Sequence, residues 1–155
     1  MSQTPDLKTA AYPRAGAVPS SKLRAILEGC QGLNIIFGIT VAVNIVGGQA
    51  LRRDGGATMP AIIAFAVILF LLVSIGSFKY VKKVGEGLDW PESKATLITV
   101  LLGLNSAICC GAIGFILVQM AAIKKLNEGG IEASLLKFNV KNGLATVEQM
   151  ERQGL

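Results

Sequence analysis

The sequence predicts an all-α membrane protein: a small helical bundle of three transmembrane helices, with a flexible N-terminal tail and a short polar C-terminal appendage. Two observations carry this. Apolar residues make up 52% of the 155-residue chain, and over residues 33–123 they are contiguous, where a soluble domain would space them at helix or strand periods. The fifteen Lys and Arg, against ten Asp and Glu, flank those apolar blocks. Cations so placed sit among lipid headgroups, so the net charge of +5 marks membrane edges. A nucleic-acid partner is not expected, because it would need those charges clustered on one folded face.

Residues 1–21 form the tail. "MSQTPDLKTAAYPRAGAVPS" holds three prolines and no helical period. Ser20 or Ser21 can cap a helix opening at Lys22. Leu23, Ile26, Leu27 and Cys30 then share one apolar stripe, which suits an interfacial lead-in over residues 22–32 or simply the first helix's solvated turn. Cys30, beside basic residues, is a candidate for S-acylation or an ordinary thiol. The first apolar block starts only after this polar leader, so no cleavable signal peptide is expected.

Residues 33–123 hold the three spans. Span one, 33–51, is long enough to cross a ~30 Å core but is weakened by Asn34, Asn44 and Gln49. Span two, 59–78, is the most apolar, with Pro60 in its first turn. Lys79, Tyr80, Lys82 and Lys83 close it as interface anchors, Trp90 is another, and Asp89-Trp90-Pro91 suits a helix start. Span three, 96–123, is longer than the core and is expected to tilt or protrude before its anchors Lys124 and Lys125.

The polar tail, 124–155, opens with Gly129-Gly130, a helix stop. Leu136–Lys141 alternate as a strand would, yet Ile131, Leu135 and Phe138 share a helical face. Asn142-Gly143 reads as a turn, and Thr146-x-x-Gln149 as a capping box opening a short last helix. "LLKFNVKNGLATVEQMERQGL", about a seventh of the chain, resembles the bacterial short C-terminal (SHOCT) domain through its Leu-Leu, Gly-x-x-Thr and Glu-Gln-Met pattern. No function is carried over from that resemblance.

The polar and small residues inside the spans call for an account. On span three Gly103, Ala107, Cys110, Gly111 and Gly114 fall on one side, where small residues let helix backbones approach. Asn105 and Gln119 lie on the opposite side. On span one Asn34, Gly38, Thr40, Asn44 and Gly48 occupy one broad side. An amide facing hydrocarbon without a partner is costly, so span one's polar side is expected to meet one polar or small face of span three, either as interhelical glue or as a polar pore. Span two is expected to face lipid most.

Several chemistries lack their residues. Three cysteines and no histidine leave no metal-site spacing. Adjacent Cys109 and Cys110 point ~100° apart on a helix, so they cannot serve one site. No Asp, Glu, Lys, Arg or His lies inside a proposed span, whereas proton relays and ion-coupled transport generally need such groups at depth. No catalytic residue, cofactor or metal is expected, and the chain is not expected to be an enzyme. The expected role is an accessory, scaffold or assembly subunit of a membrane complex in the plasma or inner membrane, with lipids and other membrane-protein subunits or its own copies as partners. Alternatives are an oligomeric pore lined by Asn34, Asn44 and Asn105, and an adaptor recruiting a soluble partner through its tail.

Topology is divided. With three spans, eight Lys and Arg lie on one side and seven on the other. With only spans two and three crossing, the division is eleven to four, which the positive-inside rule favours. Three spans are nevertheless expected, because span one lying flat would expose much apolar surface to water.

Overall fold

Apolar side chains offer the backbone no hydrogen-bond partners, so a long apolar block must satisfy its N–H and C=O groups internally, and the blocks here do so as helices. The computed structural model describes residues 18–53, 58–109, 112–134 and 140–153. These residues form α1 (Ser20–Arg53), α2 (Met59–Gly87), α3 (Glu92–Cys109), α4 (Ala112–Glu128) and α5 (Val140–Arg152), with no strand among them. Residues 1–17, Cys110, Gly111 and residues 135–139, with most of the alternating stretch, lie outside the described residues.

Two helices, α1 and α2, are long and apolar enough to cross a membrane. The lead-in and the first apolar block are one continuous helix. Pro19 starts it by accepting the backbone N–H groups of Lys22 and Leu23 through its carbonyl, so neither Ser20 nor Ser21 is the cap. α2 follows antiparallel. Along the pair, Lys22 meets Asp89, Gly29 meets Val84, Gly32 meets Tyr80, Ile36 meets Gly76, and Gly47 meets Phe65. Glycine sets the separation. A Cβ at Gly32 would clash with the edge of the Tyr80 ring, and one at Gly87 would stand 2.7 Å from the Lys22 carbonyl.

α2 ends in a turn that reverses the chain. Trp90 donates its N–H to the Gly85 carbonyl at 2.8 Å and Asp89 to that of Glu86 at 3.4 Å, while Asp89 takes φ 56°. This is the six-to-one and five-to-two pattern of a Schellman motif, with aspartate in the left-handed position that glycine usually fills. Pro91 then opens α3, its carbonyl accepting from Lys94 and Ala95. The same pattern closes α4, with Gly130 at φ 82° and Ile131 donating to Leu126 at 3.0 Å.

The segment expected as a single third span is instead two helices, α3 and α4, folded against each other. A Cβ at Gly114 on α4 would lie 2.7 Å from Leu102 and 3.3 Å from Asn105, both on α3. Running back, α4 sets Phe115 against Phe37 in a tilted contact with ring centroids 5.2 Å apart and brings Gly129 onto Leu23. The fold-back has a packing reason. It buries Phe115, Val118, Ala122 and Leu126, a stripe at helical spacing that a straight continuation of α3 would carry away from α1.

α5 lies across the start of α1. Its stripe Val140, Gly143, Val147 and Met150 faces inward, with Val147 and Met150 buried and Gly143 against Leu27. This overrides two local signals. Asn142-Gly143 is helix interior and not a turn, and Thr146 donates its hydroxyl to the Asn142 carbonyl at 3.0 Å instead of capping. The helix starts earlier because burial begins at Val140 and outweighs turn propensity.

Candidate functional site

Charge gathers at one end of the helix pair. Lys22 pairs with Asp89 at 2.5 Å, Lys83 with Glu28 at 2.5 Å, Lys82 with Glu92 at 2.9 Å, and Arg24 with Glu28 at 3.2 Å and Glu151 at 3.3 Å. These pairs tie the start of α1 to the end of α2, the α2–α3 turn and α5. Tyr80 lies half-buried over Gly32, and the Lys94 ammonium stands 4.7 Å over the Trp90 ring. Lys79 and Lys124 are exposed, and Lys125 pairs with Glu128 at 3.4 Å. Every expected interface anchor therefore stands at this end.

Three carboxylates titrate below their usual range here. Glu28 is held down by hydrogen bonds from Lys83 and then Arg24, Asp89 by Lys22, and Glu92 by Lys82. A carboxylate depressed in the folded state contributes stability above its unfolded pKa of about 4, and that contribution is lost as pH falls through the lower folded value. The detergent-solubilised protein should keep a level Tm from pH 8 to pH 5 and lose stability below about pH 4. Glu28→Gln should lower Tm at neutral pH by no more than a few degrees, because the pairs are partly exposed, and should flatten part of the acid loss. An acid slope unchanged by that substitution would remove Glu28 from the account.

The amides expected within the spans are dispersed. Gln119 on α4 donates its side-chain N–H to the side-chain Oδ1 of Asn34 on α1. Asn44 donates to the Thr40 carbonyl of its own helix at 2.9 Å. Asn105 lines a groove of about 390 Å³ between α3 and α4, with Trp90, Leu102, Gly114 and Leu117. Thr40, Ser77 and Thr99 return their hydroxyls to carbonyls four residues earlier, which spares them a partner in lipid.

The Asn34–Gln119 bond has a measurable consequence. Gln119→Leu should cost about 0.6–2 kcal/mol of folding free energy. Asn34→Leu together with Gln119→Leu should cost less than the sum of the two single changes, as measured by a double-mutant cycle in mixed micelles. Strict additivity would mean that the pair contributes nothing.

The small residues expected on one packing face serve different contacts. Gly103 on α3 lies against Ser74 and Phe70 of α2. Ala107 on α3 is half-buried. Gly114 sits on α4 and faces back to α3. Cys30 is 1% exposed within the core, which closes its sulfur to acylation. The close approaches not read from the sequence are Gly29 against Val84 and the Tyr80 carbonyl, Gly32 against the Tyr80 ring, and Gly87 against Ile26 and the Lys22 carbonyl. The signal was present as paired glycines in two apolar helices.

Comparison with models of known protein families, with curated proteins and with solved structures finds no match.

Proposed function

We propose that this chain is a two-span protein of the cell membrane, with no enzymatic activity of its own, that serves as an accessory or assembly subunit of a membrane complex. In this reading α1 and α2 cross, α3 and α4 dip into the membrane from the basic end and return to it, and both termini share that side. Thirteen of the fifteen Lys and Arg then lie on one side and only Arg52 and Arg53 on the other. That is more lopsided than either arrangement of the apolar blocks considered from sequence, and the positive-inside rule turns the basic side to the cytoplasm.

The assembly role is carried by one observation. α4 covers one side of α1 through Asn34 and Phe37, but α4 begins at Ala112. Beyond it, that side of α1 continues as Val41, Asn44 and Gly48, with nothing within 4 Å of a Cβ placed at Gly48. Asn44 follows Phe37 by seven residues and Gly48 follows Asn34 by fourteen, so a single helix side is continuous. It presents an amide and a glycine to hydrocarbon, and a partner helix seated there would satisfy the amide oxygen and gain close contact.

The pore reading has less support within one chain, since Asn34 pairs with Gln119, Asn44 bonds back to its own helix and Asn105 lines the separate α3–α4 groove. The adaptor reading has less too, because α5 is seated on α1. A photo-crosslinker at Gly48 in intact membranes, compared with one at the exposed Ile63 of α2, tests the assembly role. A discrete protein adduct from position 48 and none from position 63 is expected. Lipid adducts alone at both positions would overturn it.

A further inference from the structure

We propose that the chain acts as a one-leaflet wedge that favours membranes curved convex toward the side bearing its termini. This goes beyond the assembly role and rests only on the two-span placement above.

Depth carries the inference. Glu92, at the start of α3, pairs with Lys82, and Gly129, just past α4, packs on Leu23, so both ends of the α3–α4 hairpin lie at the basic end. Gly103 is level with Ser74 and Phe70, and Phe115 is level with Phe37. Counting ~1.5 Å per residue inward from Phe78 and Leu33, Ala112 and Cys109 lie roughly 10–18 Å below the basic edge of a ~30 Å core. The hairpin therefore reaches about the midplane and turns back.

The basic-side leaflet then holds four helical segments and the opposite leaflet two. At ~10–12 Å across, each helix fills about 80–110 Å² of leaflet area, so protein area near the basic side is about twice that on the far side. The outer faces of the hairpin are apolar and open: Leu97, Leu101, Leu104, Ile113, Leu117 and Met120 are all exposed. Such a surface displaces acyl chains rather than water. A leaflet crowded in this way relaxes when its surface is stretched, as it is on the convex side of a curved membrane. A partner helix crossing at Gly48 would add equal area to both leaflets and leave the asymmetry in place.

The test uses the full chain in giant vesicles of phosphatidylcholine with phosphatidylserine, from which thin tubes are pulled. A fluorophore at Ser2→Cys and an impermeant quencher separate molecules with termini outward from those with termini toward the lumen. The tube-to-flat density ratio should exceed one for the outward molecules and fall below one for the others. Ratios of one in both orientations, or the same enrichment in both, would overturn the wedge. Labelling at Gly154→Cys and Gly55→Cys in the same vesicles tells the two failures apart. If Gly154 shares a side with Ser2 while Gly55 does not, the topology stands without the wedge; if Gly154 lies opposite Ser2, or Gly55 shares its side, both fall.

Discussion

Gly32→Leu should separate α1 from α2 and lower the Tm of the solubilised protein by about 5–10 °C, while Gly38→Leu should leave it nearly unchanged. The two positions are six residues apart on one helix, and the substitution is the same, so helix propensity and added apolar surface are matched. Their surroundings are not. A Cβ at Gly32 clashes with the edge of the Tyr80 ring, and one at Gly38 meets nothing within 4 Å. Overpacking a filled contact typically costs about 1–3 kcal/mol. Because Gly32 is buried at the closest approach of the two spans, the strain has little room to relax. Tyr80→Ala should cost stability alone, by emptying the space over Gly32, but should restore part of what Gly32→Leu removes when the two are combined. Equal losses from Gly32→Leu and Gly38→Leu, or no recovery in the double variant, would show that this contact does not hold the hairpin.

The helical class and the first two apolar blocks were legible because their cause is local. A contiguous apolar run in lipid has to be helical, whatever surrounds it. That Leu23, Ile26, Leu27 and Cys30 share one face was legible for the same reason, since their period alone places them there; that this face is buried in the core was not. The fate of residues 96–123 was not. Their hydropathy is continuous, and nothing in it distinguishes a long tilted span from two helices folded together. The choice falls to contacts far apart in sequence: Gly114 on Leu102, Phe115 on Phe37, and Gln119 with Asn34. The tail shows the opposite error. Asn142-Gly143 is a strong turn signal, and it yields because Leu27 needs a residue without a side chain at position 143. For the candidate site, side and type were readable while pairing was not. Asn34 and Gln119 stand out as amides in apolar surroundings, but that they meet each other, while Asn44 bonds back to Thr40 of its own helix, depends on where α4 runs.

Single cysteines at Ser2, Gly55, Ser93 and Gly154, in an otherwise cysteine-free chain, should label with an impermeant maleimide in intact cells only at Gly55. The other three should react only after permeabilisation. Each topology gives a different pattern. Three crossing segments place Ser2 and Ser93 together, opposite Gly55 and Gly154. Crossing by the second and third segments alone isolates Ser93 from the other three. Two crossings by α1 and α2 with a returning α3–α4 hairpin isolate Gly55. The physical preference for the last comes from two independent terms. Thirteen cations against two is the strongest charge bias of the three arrangements, and a cation near an anionic leaflet gains about 1 kcal/mol. The ion pairs of Lys22 with Asp89 and Lys82 with Glu92 join the beginning of α1, the α2–α3 turn and the start of α3 in one layer. A third crossing would carry Gly129 a full membrane thickness away from Leu23, against which it packs, and would separate Gln119 from Asn34. Labelling of Gly154 from outside with Ser2 protected would therefore overturn both the hairpin and the packing of α4 and α5 on α1.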